Sequence, residues 1–187
     1  SLPPERHMLV WFEDITDQKM ADLSLSVIRG FSDEIITSID QLVKKNDSYE
    51  RLCRLIFKEG YEGVFISRED SEGDLSGHVC KSDGGQLCLS EPITIDKKSH
   101  APIWRSKRSK RVVTATINDH ESREEFEKNH PFDDRVKQFV GSQINNYVNY
   151  HEGDLSIIAF NKRDGIGVYD LSVMETLGNT ARSITRL

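Results

Sequence analysis

The last third of the chain, residues 145–187, places the tightest limits on the fold. Residues 147–150 and 155–160 are two runs of high β-propensity, and the second is apolar except for one serine. Residues 161–165 then read as a polar turn, built from residue types that tolerate left-handed backbone. Beyond the turn, apolar residues recur at helical spacing, and Asp170 is placed to cap that helix. The pattern predicts two strands, a turn and a closing amphipathic helix.

Length, charge and hydropathy exclude several classes of protein. The 187 residues suit one compact domain with an appendage, since domains commonly run to about 100 to 150 residues. No window approaches the roughly 20 apolar residues of a membrane span, and no signal peptide opens the chain. We therefore expect a cytoplasmic segment without membrane contact. The net charge of −6 argues against nucleic-acid binding, because phosphate attraction would have to overcome overall repulsion.

The first residues resemble the end of a separate domain. Residues 7–12 read as a short apolar and aromatic strand, and residues 11–19 pass through Asp-Ile-Thr into a helical pattern. This junction is similar to the end of a PAS domain, where a final strand leads into a connecting helix. The resemblance implies that residues 1–15 are the remnant of an upstream PAS domain and that residues 16–46 are a signalling helix.

The helical pattern of residues 16–46 predicts a dimer. Its apolar residues are spaced by three or four, which keeps them on one stripe. A helix this long cannot bury the whole stripe against a small domain, so we expect a parallel coiled coil in a homodimer. An ordinary helix packed on its own domain is the alternative. The stripe consists of Ile28, Phe31, Ile35, Ile39 and Leu42.

Residues 47–187 resemble a GAF domain in the order of their elements. A helix that ends before Gly60 is followed by strands near residues 64–66 and 77–80, and the chain closes with the strands, turn and helix described above. GAF domains are sensory modules of signalling proteins. The resemblance implies an α+β fold, with an antiparallel sheet of five or six strands flanked by helices. It also implies that the first and last helices pack on one face of the sheet and that a ligand pocket lies on the other.

The expected function follows from this resemblance. We expect the sensory, ligand-binding module of a PAS-GAF signalling protein, of the two-component sensor histidine kinase type. Its partners would be a second copy, the upstream PAS domain, a downstream output domain and a small-molecule ligand. No P-loop, nucleophile elbow or kinase motif occurs in the sequence, so we expect no catalytic residues in this segment.

Five residues are candidates for the pocket of such a module. His78 and Cys80 share one face of their strand if it is regular, and a thiolate beside an imidazole would suit haem iron. A haem or redox sensor is therefore an alternative function, while ordinary core or edge packing is the alternative for the cysteines. His100 and Trp104 lie in the segment that covers the cavity in the family. The candidates are His78, Cys80, Cys88, His100 and Trp104.

The cysteines allow one enzymatic alternative. Cys53, Cys80 and Cys88 are an odd set without a C-x-x-C pair, so we expect neither a disulfide framework nor a structural zinc site. One GAF family reduces free methionine sulfoxide through cysteines that cycle through a disulfide, and Cys80 with Cys88 could form such a pair. The linker helix argues against this reading, since that reductase is a free-standing domain.

Three residues of the last third resemble part of a known motif. Asn161 and Lys162, followed by Asp170, match positions of the Asn-Lys…Phe-x-x-x-Asp-Glu motif of cyclic-nucleotide-binding GAF domains. Ile166 stands where that motif has Phe, and Leu171 stands where it has Glu. A polar hairpin turn explains the first two residues without any ligand.

Overall fold

The structure is a computed structural model that describes residues 47–185 except Asp119 and Ser142. The chain divides into two units, residues 1–43 and 44–187, and every described residue belongs to the second. The expected PAS-like remnant at 1–15 and signalling helix at 16–46 lie outside the described residues. So does the predicted dimer stripe, which consists of Ile28, Phe31, Ile35, Ile39 and Leu42.

The described residues form five helices and seven strands. The helices are α1 (Asp47–Lys58), α2 (Ile103–Ser109), α3 (Arg123–Asn129), α4 (Asp134–Val140) and α5 (Val168–Thr185). The strands are β1 (Gly63–Glu69), β2 (Leu75–Asp83), β3 (Gln86–Leu89), β4 (Ile93–Ile95), β5 (Val113–Thr116), β6 (Asn146–Glu152) and β7 (Leu155–Phe160). Within this part of the chain, no helix combines the length and the apolar run that crossing a membrane would require.

The strands form one antiparallel sheet in the order β3-β2-β1-β7-β6-β5. The predicted α+β class with a helix-flanked antiparallel sheet is confirmed. The expected count of five or six strands is wrong, because β2 is long enough to pair with two short strands along one edge. Its first half pairs with β4, and its second half pairs with β3 through a turn at Gly84 and Gly85. Both glycines have positive φ, which suits a tight hairpin turn.

The terminal helices α1 and α5 cover one face of the sheet, which we call the terminal-helix face. Cys53 of α1 contacts Cys80 of β2, and Gly178 of α5 lies directly against the ring of Tyr150 on β6. The strand register places Cys80 and Tyr150 on the same face, because directly opposed residues of antiparallel strands point the same way.

Helices α2, α3 and α4 cover the opposite face, which we call the inner-helix face. The amide of Asn149 on β6 donates to the carbonyls of Pro102 and Ile103 at the start of α2, at 2.8 and 2.9 Å. Val136 of α4 packs in the same buried cluster as Phe65 of β1. The remaining members of that cluster are Leu75, Val79, Ile93, Ile95, Ala101, Ile103, Trp104, Ile144, Tyr147, Ile158 and Phe160.

The middle of the sheet explains the apolar run that dominates the last third of the sequence. All six residues of β7 are buried, because β7 lies between β1 and β6 and is covered by helices on both faces. A strand in this position shows a continuous apolar run rather than alternation. The predicted strand at 155–160 is therefore confirmed as the centre of the core.

Two helix ends test the predicted caps. The helix predicted to end before Gly60 does so, and Gly60 has φ +89° and donates its N–H to the carbonyl of Phe57 at 3.0 Å. The final helix starts at Val168, earlier than predicted, so Asp170 is not its N-cap. Asp170 lies in the first turn and accepts a hydrogen bond from the N–H of Gly167 at 2.8 Å. This is the reaching-back half of a capping box.

Candidate functional site

An open cavity of about 390 Å³ lies at the outer side of α3 and α4. This volume falls in the lower part of the range of small-molecule sites, which is about 300 to 1,000 Å³. Its walls combine two aromatic rings with amide, imidazole and charged groups. The lining residues are Phe126, Glu127, His130, Phe132, Lys137, Gln138, Gly141, Gln143 and Ile144.

Two short, well-capped helices build the walls of this cavity. Ser122 caps α3 by accepting from the N–H of Glu125 at 3.2 Å, and Asp133 caps α4 by accepting from the N–H of Arg135 at 2.9 Å. Gly141 ends α4 with φ +73°. The side chain of Phe126 is 1% exposed and anchors α3 to the sheet. The caps and the buried Phe126 therefore hold in place residues 130–133, which connect α3 to α4 and contribute to the cavity wall.

His130 links the cavity to the sheet. Its Nδ1 lies 2.9 Å from the hydroxyl of Tyr147 on β6, and its ring stacks at 4.6 Å from the ring of Phe126. Burial, together with the nearby charge of Arg105, lowers the pKa of His130 below its ordinary value. Burial also raises the pKa of Tyr147 to about 12. Both groups are therefore neutral at physiological pH, and the hydrogen bond between them joins two uncharged side chains.

Asn161 holds the segment that forms another wall of the cavity. Its backbone is left-handed, with φ +57°. Its amide donates to the carbonyl of Gln143 at 2.8 Å, and its carbonyl oxygen accepts from the N–H of Asn145 at 2.8 Å. The turn after β7 therefore fixes the approach to β6, and Gln143 contributes to the cavity through this contact.

Lys162 and Asp170 form a buried ion pair next to that turn. The hydroxyl of Tyr61 donates to the same carboxylate at 3.0 Å, and burial followed by the charge of Asp170 raises the pKa of Tyr61. The three residues that resembled a nucleotide-binding motif, Asn161, Lys162 and Asp170, thus hold the turn and the start of α5. None of them lines the cavity.

The sequence predicts no disulfide framework, but Cys53 and Cys80 are joined in a single disulfide that it does not anticipate. Their Cα atoms are 6.5 Å apart, within the range that a disulfide spans. Both cysteines are fully buried between α1 and β2. The pairing was missed because the cysteines are 27 residues apart in sequence and are brought together only by the packing of α1 on the terminal-helix face.

The other candidates on β2 and β3 do not converge on a pocket. His78 shares the terminal-helix face with Cys80, and its Nδ1 lies 2.9 Å from the carbonyl of Ser90. Cys88 on β3 is directly opposite Lys81, so it lies on the inner-helix face, away from Cys80. The two cysteines suggested as a cycling pair are therefore on opposite sides of the sheet.

His100 and Trp104 flank the start of α2. His100 is exposed, whereas Trp104 is buried in the core and donates its indole N–H to the carbonyl of Asp96 at 3.0 Å. Neither residue lines the open cavity. The one sequence signal near the cavity is His130-Pro131-Phe132, where a proline between two amphipathic segments marks a break in the chain.

The region directly beneath α2 and α4, where the GAF resemblance implies a ligand, is closed. A space of about 10 Å³ remains there, which is barely the room of one water. The side chains of Phe65, Ile103, Phe132 and Val136 line this small space and leave no room for a ligand. The open space on the inner-helix face lies further out, beyond Phe132.

No metal centre is formed within residues 47–185, leaving aside Asp119 and Ser142, because no three His, Cys, Asp or Glu side chains come together there. Neither a protein-family model nor a curated protein sequence matches this chain.

Proposed function

We propose that residues 47–187 form a GAF-like sensory module that binds a small molecule in the cavity beside α3 and α4. The observation that carries this proposal is that one strand, β6, connects the cavity to a terminal helix. Tyr147 contacts His130 of the cavity wall, and Tyr150 donates its hydroxyl to Asn179 of α5 at 2.9 Å. The two tyrosines lie three residues apart on opposite faces of β6.

This arrangement supports a relay in which a ligand moves His130, shifts β6 and so changes the packing of α5. The contact between β6 and α5 is close, because Gly178 leaves no space between the helix and the ring of Tyr150. Close packing transmits small displacements, since a packed interface cannot deform continuously. A ligand would shift α5 only to the extent that it binds the two arrangements with different affinities.

The lining groups favour a planar ligand with an anionic or polar edge. The half-buried Phe132 offers a ring surface, and Gln138 and Gln143 offer both hydrogen-bond donors and acceptors. Lys137 supplies a cation at the cavity, although Asp134 already contacts it at 2.6 Å on the same helix. A bound anion would compete with that exposed carboxylate for the ammonium group.

The wider context is part of the same proposal. Terminal helices that share one face of the sheet are suited to carrying a signal along the chain in both directions. We propose that the module acts in a homodimer, between an upstream PAS domain and a downstream output domain of the histidine kinase type. Its place in the cell would be the cytoplasm.

A ligand screen followed by one charge substitution tests the binding step. The 187-residue chain would be screened by thermal shift against aromatic carboxylates and cyclic nucleotides, and hits would be titrated by calorimetry. Lys137→Gln should weaken binding of an anionic hit about tenfold or more, because it removes a charged hydrogen bond. Lys128→Gln is the matched control, since Lys128 is exposed on α3 and does not line the cavity. Equal affinities of the two variants would reject the cavity as the site.

A second substitution tests the relay separately from binding. Tyr150→Phe keeps the ring and removes the hydroxyl that bonds to Asn179. We expect it to leave ligand affinity unchanged and to reduce the change in amide hydrogen exchange that ligand binding causes in α5. An unreduced response in α5 would show that the signal does not pass through this contact.

A redox sensor is the second candidate function, and the buried Cys53–Cys80 bond favours it. A dithiol reductant would pass two electrons and two protons to this bond and become a disulfide itself, which leaves two thiols. Haem binding through Cys80 is less favoured, since a sulfur that is bonded to Cys53 cannot also ligate iron as a thiolate.

Thiol counting tests this second candidate. The Cys88→Ser variant would be equilibrated with reduced and oxidised dithiothreitol mixtures, then alkylated and weighed. A redox sensor requires reversible gain of two thiols together with faster amide exchange in α1. A bond that resists reduction in the native state, or an α1 that does not respond, would exclude this function.

A further inference from the structure

A row of one glycine, two serines and one histidine crosses four strands on the inner-helix face, which α2 helps to cover. Ser67 of β1 is opposite both Gly77 of β2 and Ser156 of β7, and Ser156 is opposite His151 of β6. Ser67 and Ser156 are fully buried. At Gly77 the backbone of β1 occupies the place of a side chain, since a Cβ there would overlap the carbonyl oxygen of Ile66. The row therefore presents the polar side chains of Ser67, Ser156 and His151.

Five buried polar atoms at this place have no hydrogen-bond partner of ordinary geometry within the described part of the protein, although the backbone of Gly153 interacts with the His151 ring. They belong to Ser67 and His151 of the row, to Asn149 on the same face of β6, and to Ser106 on the buried side of α2. Three of the four residues are completely shielded from solvent. The atoms are Ser67 Oγ, Ser106 Oγ, Asn149 Oδ1, His151 Nδ1 and His151 Nε2.

Five unpaired polar atoms in one region need a physical explanation, since buried polar groups in native proteins are nearly always hydrogen-bonded. Two apolar groups of similar shape would be tolerated better than two orphaned hydroxyls. Within the Asn149 side chain, only one of the two polar atoms lacks a hydrogen-bond partner. The amide nitrogen of Asn149 makes two hydrogen bonds to α2, while its carbonyl oxygen makes none.

The charges around the row set the kind of molecule that it can hold. Lys107 of α2 pairs with Glu69 of β1 beside it, so the local formal charge is balanced. An ion would therefore enter without a counter-charge. Asn149 Oδ1 needs a donor, whereas serine hydroxyls and a neutral imidazole can both donate and accept.

We infer that this polar row binds internal water, which bridges α2 to the sheet. Water is small, neutral, and both donates and accepts hydrogen bonds, so it matches the size and chemistry of the site. Buried waters typically make about three hydrogen bonds to otherwise unpaired groups. The five unpaired atoms are enough for one or two such molecules. Burial, followed by the charge of Lys107, also lowers the pKa of His151, which keeps its imidazole neutral and able to accept as well as donate.

A crystal structure of the 187-residue chain at better than about 1.8 Å resolution would test the assignment directly. We expect a density peak within about 3.2 Å of at least two of the five atoms, with the size of a water molecule. The absence of a peak would overturn the inference. A larger, connected density would also overturn it, because it would show that the row holds a different guest.

Two serine substitutions give an independent test through the sign of their effect. If water bridges α2 to the sheet, Ser67→Ala and Ser106→Ala each remove one of its partners and should lower Tm by about 2 to 4 °C. Ser109→Ala is the matched control on α2, because Ser109 is exposed and its hydroxyl bonds to backbone carbonyls. An unchanged or raised Tm in both buried variants would contradict the inference, since removing an orphaned hydroxyl relieves a cost. If a variant does not fold, the density of the parent decides.

Discussion

His130 packs against the inner-helix face of the sheet and His151 lies on that face, and each has its pKa lowered mainly by burial. Positive charges lie near both, Arg105 beside His130 and Lys107 beside His151. The folded protein therefore resists their protonation. The unfolded chain does not resist protonation, because the histidine pKa values there lie near the ordinary value of about 6.5.

This difference predicts loss of stability in mild acid. Above about pH 6.5 both states hold neutral histidines, and the full stability is present. As the pH falls below that value, the unfolded state binds protons first, so the free energy of unfolding decreases until the folded pKa values are passed. We expect Tm to fall between about pH 7 and pH 5, and the His130→Gln, His151→Gln double variant to show a shallower fall. Calorimetry at each pH measures this.

The exposed histidine His100 provides the control for this prediction. His100→Gln should leave the slope of Tm against pH unchanged. A double variant with the slope of the parent protein would show that other groups cause the acid sensitivity.

Between elements, the start of α5 depends on one buried carboxylate. Asp170 is 3% exposed and receives contacts from Lys162, from Tyr61 and from the N–H of Gly167. Arg68 and Asp154 form a pair of similar chemistry on the surface, with side chains 33% and 54% exposed. The two pairs differ in solvent access and in the number of contacts, since the Asp170 carboxylate receives three and the Asp154 carboxylate receives one from Arg68.

We expect Asp170→Ala to lower the free energy of unfolding by about 3 to 5 kcal/mol, because it leaves the largely buried Lys162 ammonium and the Tyr61 hydroxyl without their partner. Asp154→Ala should cost about 1 kcal/mol or less, since water screens the exposed pair. Chemical denaturation measures both values. Similar losses in the two variants would show that burial does not strengthen the dependence on Asp170.

The packing of α5 on β6 leads to a prediction that opposes helix propensity. Glycine within a helix is less favourable than alanine by about 1 kcal/mol, so Gly178→Ala would stabilise an exposed helix. A Cβ at this position would instead overlap the ring of Tyr150. We expect Gly178→Ala to destabilise the protein by about 1 to 3 kcal/mol, the usual cost of overpacking. Thermal unfolding measures this, and the Tyr150→Ala background should remove the penalty.

The sequence predicts where most helices and strands lie, but it predicts poorly which elements pack against each other. The runs at 64–66, 77–80 and 155–160 became strands, because alternation and apolar runs report burial directly. The strand β4 was not predicted, since three residues carry too little pattern. The sequence predicts a pocket role for His78 and Cys80, but the strand register places both on the terminal-helix face. The face of a strand that contacts a given helix depends on tertiary packing. A shift of the strand pairing by one residue would move every side chain to the opposite face.

For the whole molecule, the disulfide is the main covalent constraint that the described residues carry. It closes a loop of 27 residues, for which chain entropy predicts about 3.5 kcal/mol of stabilisation. Cys53→Ser should therefore lower Tm in oxidising buffer and abolish the effect of a reductant on Tm. Cys88→Ser is the matched control and should change neither, because Cys88 is the free cysteine of the described residues. A Tm that is equal in oxidised and reduced parent protein would contradict this prediction.

The open cavity could not be read from the sequence for a related reason. Its walls come from two seven-residue helices and from the segment that Asn161 holds in place, and these meet only in the folded chain. Residues 126–144 contain no motif whose spacing alone implies a ligand. The α+β class needed only local patterns, whereas the site needed the distances between elements.

The two edges of the sheet have a consequence for assembly. One edge carries β3 and β4, of four and three residues, and the other carries β5, of four residues. Such short edge strands offer a second chain only a few unpaired backbone groups in a row, which is how native sheets avoid growing by strand addition. Another molecule that recognises this unit would therefore dock through side chains on its helices and loops, and the unit should resist conversion into fibrils.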